Sequence, residues 1–172
     1  MNLRLFQRLP RAILLVAALL PAIAFAETLV GQIVSVHDRD TVTLLDANRR
    51  QHKIRLSGVD APELGQAFGR VSKENLSRQV YGRAVEVEWD KTDRYRRLVG
   101  KVIVDGHDAN LGQIAAGLAW HYKAYARDQV AIDRERYAAE ELRARQAQLG
   151  LWQDVQPTPP WLYRWTIQHP RP

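Results

Sequence analysis

Apolar and polar positions change period several times along this chain, and each change predicts an element. Residues 28–36, TLVGQIVSV, are rich in β-branched types and predict a strand, with Gly31 marking a bulge or bend. TVTLL (41–45) alternates apolar with hydroxyl residues, the turn signal DANRRQ follows, and HKIRLSGV (52–59) is a third strand candidate. AVEVEW (84–89) alternates strictly, with Val85, Val87 and Trp89 on one face and Glu86 and Glu88 on the other. LVGKVIV (98–104) predicts a fifth strand, ended by Asp105-Gly106. Helical spacing appears over 67–81, where Phe68, Val71, Leu76 and Val80 recur before Gly82. It returns after the N-cap candidate Asp108, in ANLGQIAAGLAW, where Leu111, Ile114, Ala115 and Leu118 share a stripe. Residues 128–149 form a charged third helix with Ala131, Ala138, Leu142 and Leu149 on one side, closed by Gly150. The Pro-rich tail, QPTPPWLYRWTIQHPRP, predicts extended chain.

The order β-β-β-α-β-β-α-α predicts an α+β fold, a five-stranded Greek-key barrel of the OB type with three helices. The N-terminal stretch stands apart from it. Arg4, Arg8 and Arg11 precede an apolar run, and Ala24-Phe25-Ala26 follows, the layout of a signal peptide cut after Ala26. Pro21 breaks the run, which is short for a membrane span of roughly 20 apolar residues. The expected organisation is a leader over 1–26, a domain over 27–152 and a Pro/Trp-rich tail over 153–172.

Removing the leader changes the charge. It holds three of the 25 basic residues and no acid, so 22 basic face 19 acidic residues and the net charge falls from +6 to +3. That balance permits a nucleic-acid partner without demanding one. The chain has no cysteine, which excludes disulfides and Cys-based zinc sites.

Four stretches carry charge or aromatic groups beyond what a fold needs. In HDRDT, Asp38 and Asp40 stand two apart and, in extended chain, face one site. Taken alone, such a pair is more often a hairpin turn with solvated acids. RLSGVDAPE brings Arg55, Asp60 and Glu63 within nine residues, and Pro62 restrains Ala61 to extended geometry. TDRYRRLVG gathers Arg94, Arg96 and Arg97 around Tyr95, a mixture suited to phosphate and base contact, although a solvated hairpin turn looks the same. WHYKAY supplies Trp120, Tyr122 and Tyr125, which fit base stacking or ordinary rim packing. Together, carboxylates for a hard cation, arginines for a phosphodiester and a spare carboxylate for a proton make up phosphodiester hydrolysis.

The segments HDRDTVTL, IRLSGVDAPE, DRYRRLVG, GLAW and LGLW, in this order over Leu29 to Trp152, resemble the staphylococcal nuclease (thermonuclease) family. The resemblance implies an OB barrel and a Ca²⁺-dependent endonuclease acting on DNA and RNA, single strands favoured, with 3′-phosphate products. It implies Asp40, Asp60 and the Ala61 carbonyl as calcium ligands, with Asp38 in the outer shell. Glu63 then matches the general base, and Arg55 and Arg97 the pair that grips the phosphate. Arg94, Tyr95, Tyr122 and Tyr125 are substrate-contact candidates, and the base-stacking tyrosine stays open among the three.

The sequence departs from the family pattern at Ala61, where a threonine is known, and at Arg96, where a glycine is usual. If that turn needs φ > 0, Arg96 is strained. The loop after Glu63 is short and is expected to open the site. The chain is expected to be secreted or periplasmic, monomeric, and without stable membrane association once the leader is cut. The competing readings are a non-catalytic OB-fold module that binds single-stranded nucleic acid, and a secreted structural domain.

Overall fold

The computed structural model describes residues 27–170; the expected leader lies outside the described residues. Strands β1 (Glu27–Val36), β2 (Thr41–Asp46) and β3 (Gln51–Leu56) form an antiparallel meander. Strand β5 (Ala84–Thr92) joins the free side of β1, and β6 (Leu98–Val104) pairs with β5. The order β3-β2-β1-β5-β6 closes on itself because β3 also pairs with β6, in parallel, through Ile54–Leu98, Arg55–Val99 and Leu56–Gly100. This is the five-stranded barrel that the strand pattern predicts. Closure removes the sheet edges and encloses a core of Ile33, Val42, Leu44, Ile54, Leu56, Val87 and Val102.

One register detail differs from expectation. The irregularity in β1 falls between Ile33 and Ser35, while Gly31 keeps regular pairing with Asp46 and Val85. Gly31 is there for closeness: a Cβ on it would run into the Leu44 side chain and the Leu45 carbonyl.

Helix α1 (Gly69–Val80) covers the barrel with Leu76 and Val80, and Val71 faces outward. Helix α2 (Ala109–Ala115) starts where the Asp108 side chain accepts from the Leu111 N–H, and it ends early, at Gly117 with φ 67°. Two short ladder strands, β4 (Val59–Asp60) and β8 (Trp120–His121), pair with each other, and β7 (His107–Asp108) extends β6.

Helix α3 (Ala131–Gln146) buries a different face from the one its alanines and leucines predict. Asp133, Tyr137, Glu141 and Ala144 point inward, and Ala131, Ala138, Leu142 and Leu149 are exposed. The inward polar groups are all engaged. Asp133 accepts from Lys101, the Tyr137 hydroxyl donates to Asp108, and Glu141 accepts from the His121 N–H. A hydrophobic count assigns such a face to water, because it cannot see the partners that make burial of a polar group tolerable.

The tail also departs from expectation. After a short 3-10 turn (Gly150–Gln153), residues 160–168 form helix α4 (Pro160–Gln168). Pro160 occupies its first position, where the missing N–H costs nothing and the fixed φ favours the helix.

The β5–β6 hairpin turns through Asp93–Arg97, with Arg96 N–H donating to the Asp93 carbonyl at 2.9 Å. Arg96 has φ 63°, the left-handed conformation that a side chain disfavours. Arg96→Gly is therefore expected to raise stability by about 1 kcal/mol, read from denaturant unfolding; a loss of stability would show that the Arg96 side chain compensates its backbone.

Candidate active site

The barrel seam positions the site. On one row across the sheet, Thr41 of β2 lies opposite Arg55 of β3, which lies beside Val99 of β6. Arg55 points away from the core because its neighbours Ile54 and Leu56 fill it. Arg97, just before β6, reaches across the same row and donates to the Thr41 hydroxyl at 3.1 Å. Thr41 in turn donates to Asp40 Oδ1 at 3.0 Å.

Asp93 fixes Arg97. Its carboxylate accepts from the N–H groups of Tyr95 (2.9 Å) and Arg97 (3.0 Å) and from Arg97 Nε (2.8 Å). Burial pushes the Asp93 carboxyl up, but these hydrogen bonds outweigh it and hold the group below its ordinary value of 3.8. Arg97 also lies over the Tyr95 ring, and Arg94 flanks the same ring. Arg96 is solvent-exposed, so of the two arginines it is Arg97 that turns to the barrel, onto Asp93 and Thr41.

Asp40 and Asp60 sit either side of Arg55. One guanidinium nitrogen of Arg55 pairs with Asp40 Oδ2, and the other donates to the Val59 carbonyl at 3.2 Å, 3.9 Å from Asp60 Oδ1. Burial raises the pKa of both aspartates; Arg55 opposes this at Asp40, and Arg164 with Arg55 opposes it at Asp60. Asp60 has 0% exposure. Its backbone is pinned by the β4–β8 ladder, where it pairs with Trp120, and the same ladder brings Tyr122 beside it.

A second cationic group stands on Asp60 and reaches Glu63. Arg164, from α4, donates to both oxygens of Asp60, at 3.0 and 2.7 Å, and to Glu63 Oε1 at 3.0 Å. The other oxygen of Glu63 pairs with buried Arg39. Among the described residues no group of three or more His, Asp or Glu stands close enough to hold a metal. The donor chemistry nevertheless suits a hard divalent ion. Two carboxylates flank one position, the Ala61 carbonyl follows Asp60 directly, and a guanidinium has settled on Asp60.

The profile of the staphylococcal nuclease homologue family matches residues 53–154. The chain belongs to this family. It is 38% identical over 135 residues to an uncharacterized endonuclease of Escherichia coli O157:H7, covering 78% of this chain and 84% of the relative. It is 35% identical over 143 residues to a micrococcal nuclease of Shigella flexneri (78% and 79% of the two chains). A protein named ParB from Escherichia coli is 33% identical over 173 residues, 95% of this chain and 94% of its own. This staphylococcal nuclease homologue is a hydrolytic nuclease, and nucleic acids are its substrates.

In this homologue Asp40, Arg55, Asp60 and Arg97 gather along the seam, and Glu63 joins them through Arg164. Asp38 lies beside Asp40, whose N–H is 3.3 Å from Asp38 Oδ1, but through a bend rather than extended chain. Tyr122 borders Asp60, whereas Tyr95 and Tyr125 are exposed, Tyr125 under Lys91. The short loop after Glu63 does not leave the site open. It folds on itself, Gln66 N–H donating to the Glu63 carbonyl, and the tail packs over it.

Arg39, Thr41, Asp93 and Arg164 escaped the sequence reading. Asp93 was legible as the start of a turn, and Arg164 as a cation three residues after Trp161 on a Pro-started helix. Asp93→Ala is expected to lower kcat/KM on single-stranded DNA about tenfold with little change in unfolding temperature, since Arg97 loses its anchor; unchanged kcat/KM would mean that Thr41 alone orients Arg97.

Proposed function

We propose that the chain is an exported, Ca²⁺-dependent nuclease that cleaves DNA and RNA, favours single strands, works as a monomer and leaves 3′-phosphate ends. The row of alternating charge along the seam, Arg97, Asp40, Arg55 and Asp60, with Glu63 at its end, carries this reading. Opposite charges held in one row can neutralise a phosphodiester and an activated water together. Acids at such a groove would only weaken the binding of a phosphate chain, which argues against a purely binding module.

Asp40, Asp60 and the Ala61 carbonyl would hold the ion, with Asp38 outside them. When bound, the ion supplies a Lewis acid for the phosphoryl oxygens. Arg55 and Arg97 grip the non-bridging oxygens and stabilise the charge that grows on them. Glu63 takes a proton from water, the water oxygen bonds to phosphorus, and the bond to the 5′ oxygen breaks. The 5′ oxygen picks up a proton and leaves as a hydroxyl, so the phosphate stays on the 3′ side. Tyr122, beside Asp60, is favoured to stack on the neighbouring base, with Tyr95, Tyr125 and Arg94 at the rim. The leader over 1–26 supports export to a periplasm or beyond.

Cleavage of heat-denatured DNA should require calcium and stop with excess chelator; equal cleavage in both would remove the metal from the mechanism. Glu63→Gln and Arg97→Ala should each lower activity at least about 10²-fold with the fold intact, the scale of a lost base or charge stabiliser. Near-normal turnover in either variant contradicts that residue's role. The exported protein should begin at Glu27 by N-terminal sequencing, and an intact Met1 would contradict cleavage.

A further inference from the structure

Helix α4 lies beyond residue 154, where the family match ends, yet it reaches the centre of the site. Two of its side chains that touch the site, Trp161 and Arg164, are three residues apart and so share one helix face, and Tyr163 beside them lies over Gly65. Arg164 covers both oxygens of Asp60 and one of Glu63. Trp161 stacks on Tyr122, with ring centres 5.6 Å apart and planes at 25°, and packs edge-on against Trp120 at 5.4 Å. One helix thus covers the Asp60 oxygens that the ion would use and the Tyr122 ring at once.

We propose that α4 is an autoinhibitory latch, with Arg164 standing in the place of the activating divalent ion and Trp161 in the place of a nucleobase. This rests on the calcium-dependent reading of the site. A guanidinium and a divalent ion cannot both use the two oxygens of Asp60. With α4 seated Asp60 is fully buried, so the closed form needs the Arg164 charge on it, and an ion that binds in its place offsets the loss of that contact. Opening is therefore an exchange of one cation for another, and the ion concentration sets the fraction of open molecules.

The attachment of α4 suits a part that must let go. Within the helix, Pro160 is the buried residue, and Leu162, Trp165, Ile167 and one side of Trp161 are exposed. Arg164 keeps 38% of its side chain in solvent. The polar anchor upstream is a relay in which Gln66 accepts from the Glu63 N–H and donates to the Thr158 carbonyl at 2.9 Å. Regions held by few buried apolar contacts open at low cost. The hinge is the chain between Trp152, which packs against Trp120 at 4.4 Å, and Pro160.

If the closed form dominates, the apparent affinity for the ion is reduced by the open fraction, and unlatching restores it. Dissociation constants for Ca²⁺ and for Tb³⁺, measured by calorimetry and by lanthanide luminescence on the purified protein, test this without turnover. Arg164→Gln should bind either ion at least about tenfold more tightly than the wild type. Trp161→Ala leaves the acids and Arg164 in place, so it covers the case in which Arg164→Gln unfolds. It should also tighten ion binding, and should lower KM for a short single-stranded oligonucleotide more than it changes kcat. Wild-type ion affinity in both variants overturns the latch and leaves the nuclease reading intact. Weaker ion binding or a lower kcat in Arg164→Gln overturns it too, by making Arg164 part of the working site. Failure of wild type and variants alike to bind either ion refutes the calcium reading itself, and the latch with it.

Discussion

The site depends on one electrostatic constraint: with α4 in place Asp60 has no access to water, burial pushes its carboxyl toward the neutral form, and the guanidinium groups beside it hold the charge. Leaving such a group uncompensated costs about 3–5 kcal/mol, a large part of a domain's net stability. Two arginines answer that need. Arg55 projects from the barrel wall between Asp60 and Asp40, and Arg164 arrives from the far end of the chain to cover both of its oxygens. A substrate phosphate adds negative charge to this balance, and under the proposed calcium reading the ion brings the positive charge that offsets it.

The barrel supplies the precision. Parallel pairing of β3 with β6 makes the closing seam, and it is the seam that sets Arg55 beside the strand following Arg97. Thr41 and Asp93 then hold Arg97 at the end of this row by side-chain hydrogen bonds of 2.8–3.1 Å. Groups fixed in this way by the wall of a closed sheet lose little freedom when substrate binds, the condition under which orientation contributes to rate.

Much of this was legible in residues, and the illegible parts share a cause. Alternation in AVEVEW and the turn at DANRRQ predict strands because side-chain period and turn chemistry are local properties. The signatures around Asp40, Arg55 to Glu63, and Arg97 are likewise short stretches whose residue types serve one chemistry. Helix α3 was misread because its buried face is polar, and the partners of Asp133, Tyr137 and Glu141 lie on other elements. In the tail, three prolines within four residues masked the helix start that the last of them makes. The contact between Arg164 and Asp60 spans 104 positions, and no pattern in a window of sequence encodes it.

The central claim is that cations converge on Asp60 and exchange there. Its most direct measurement is a crystal structure of the protein grown with calcium and a short single-stranded oligonucleotide. The account predicts the ion bound by both Asp40 and Asp60, the Arg164 guanidinium withdrawn from Asp60, and Arg55 and Arg97 on one phosphate. An ion bound elsewhere, or present with Arg164 still on both oxygens of Asp60, would contradict it.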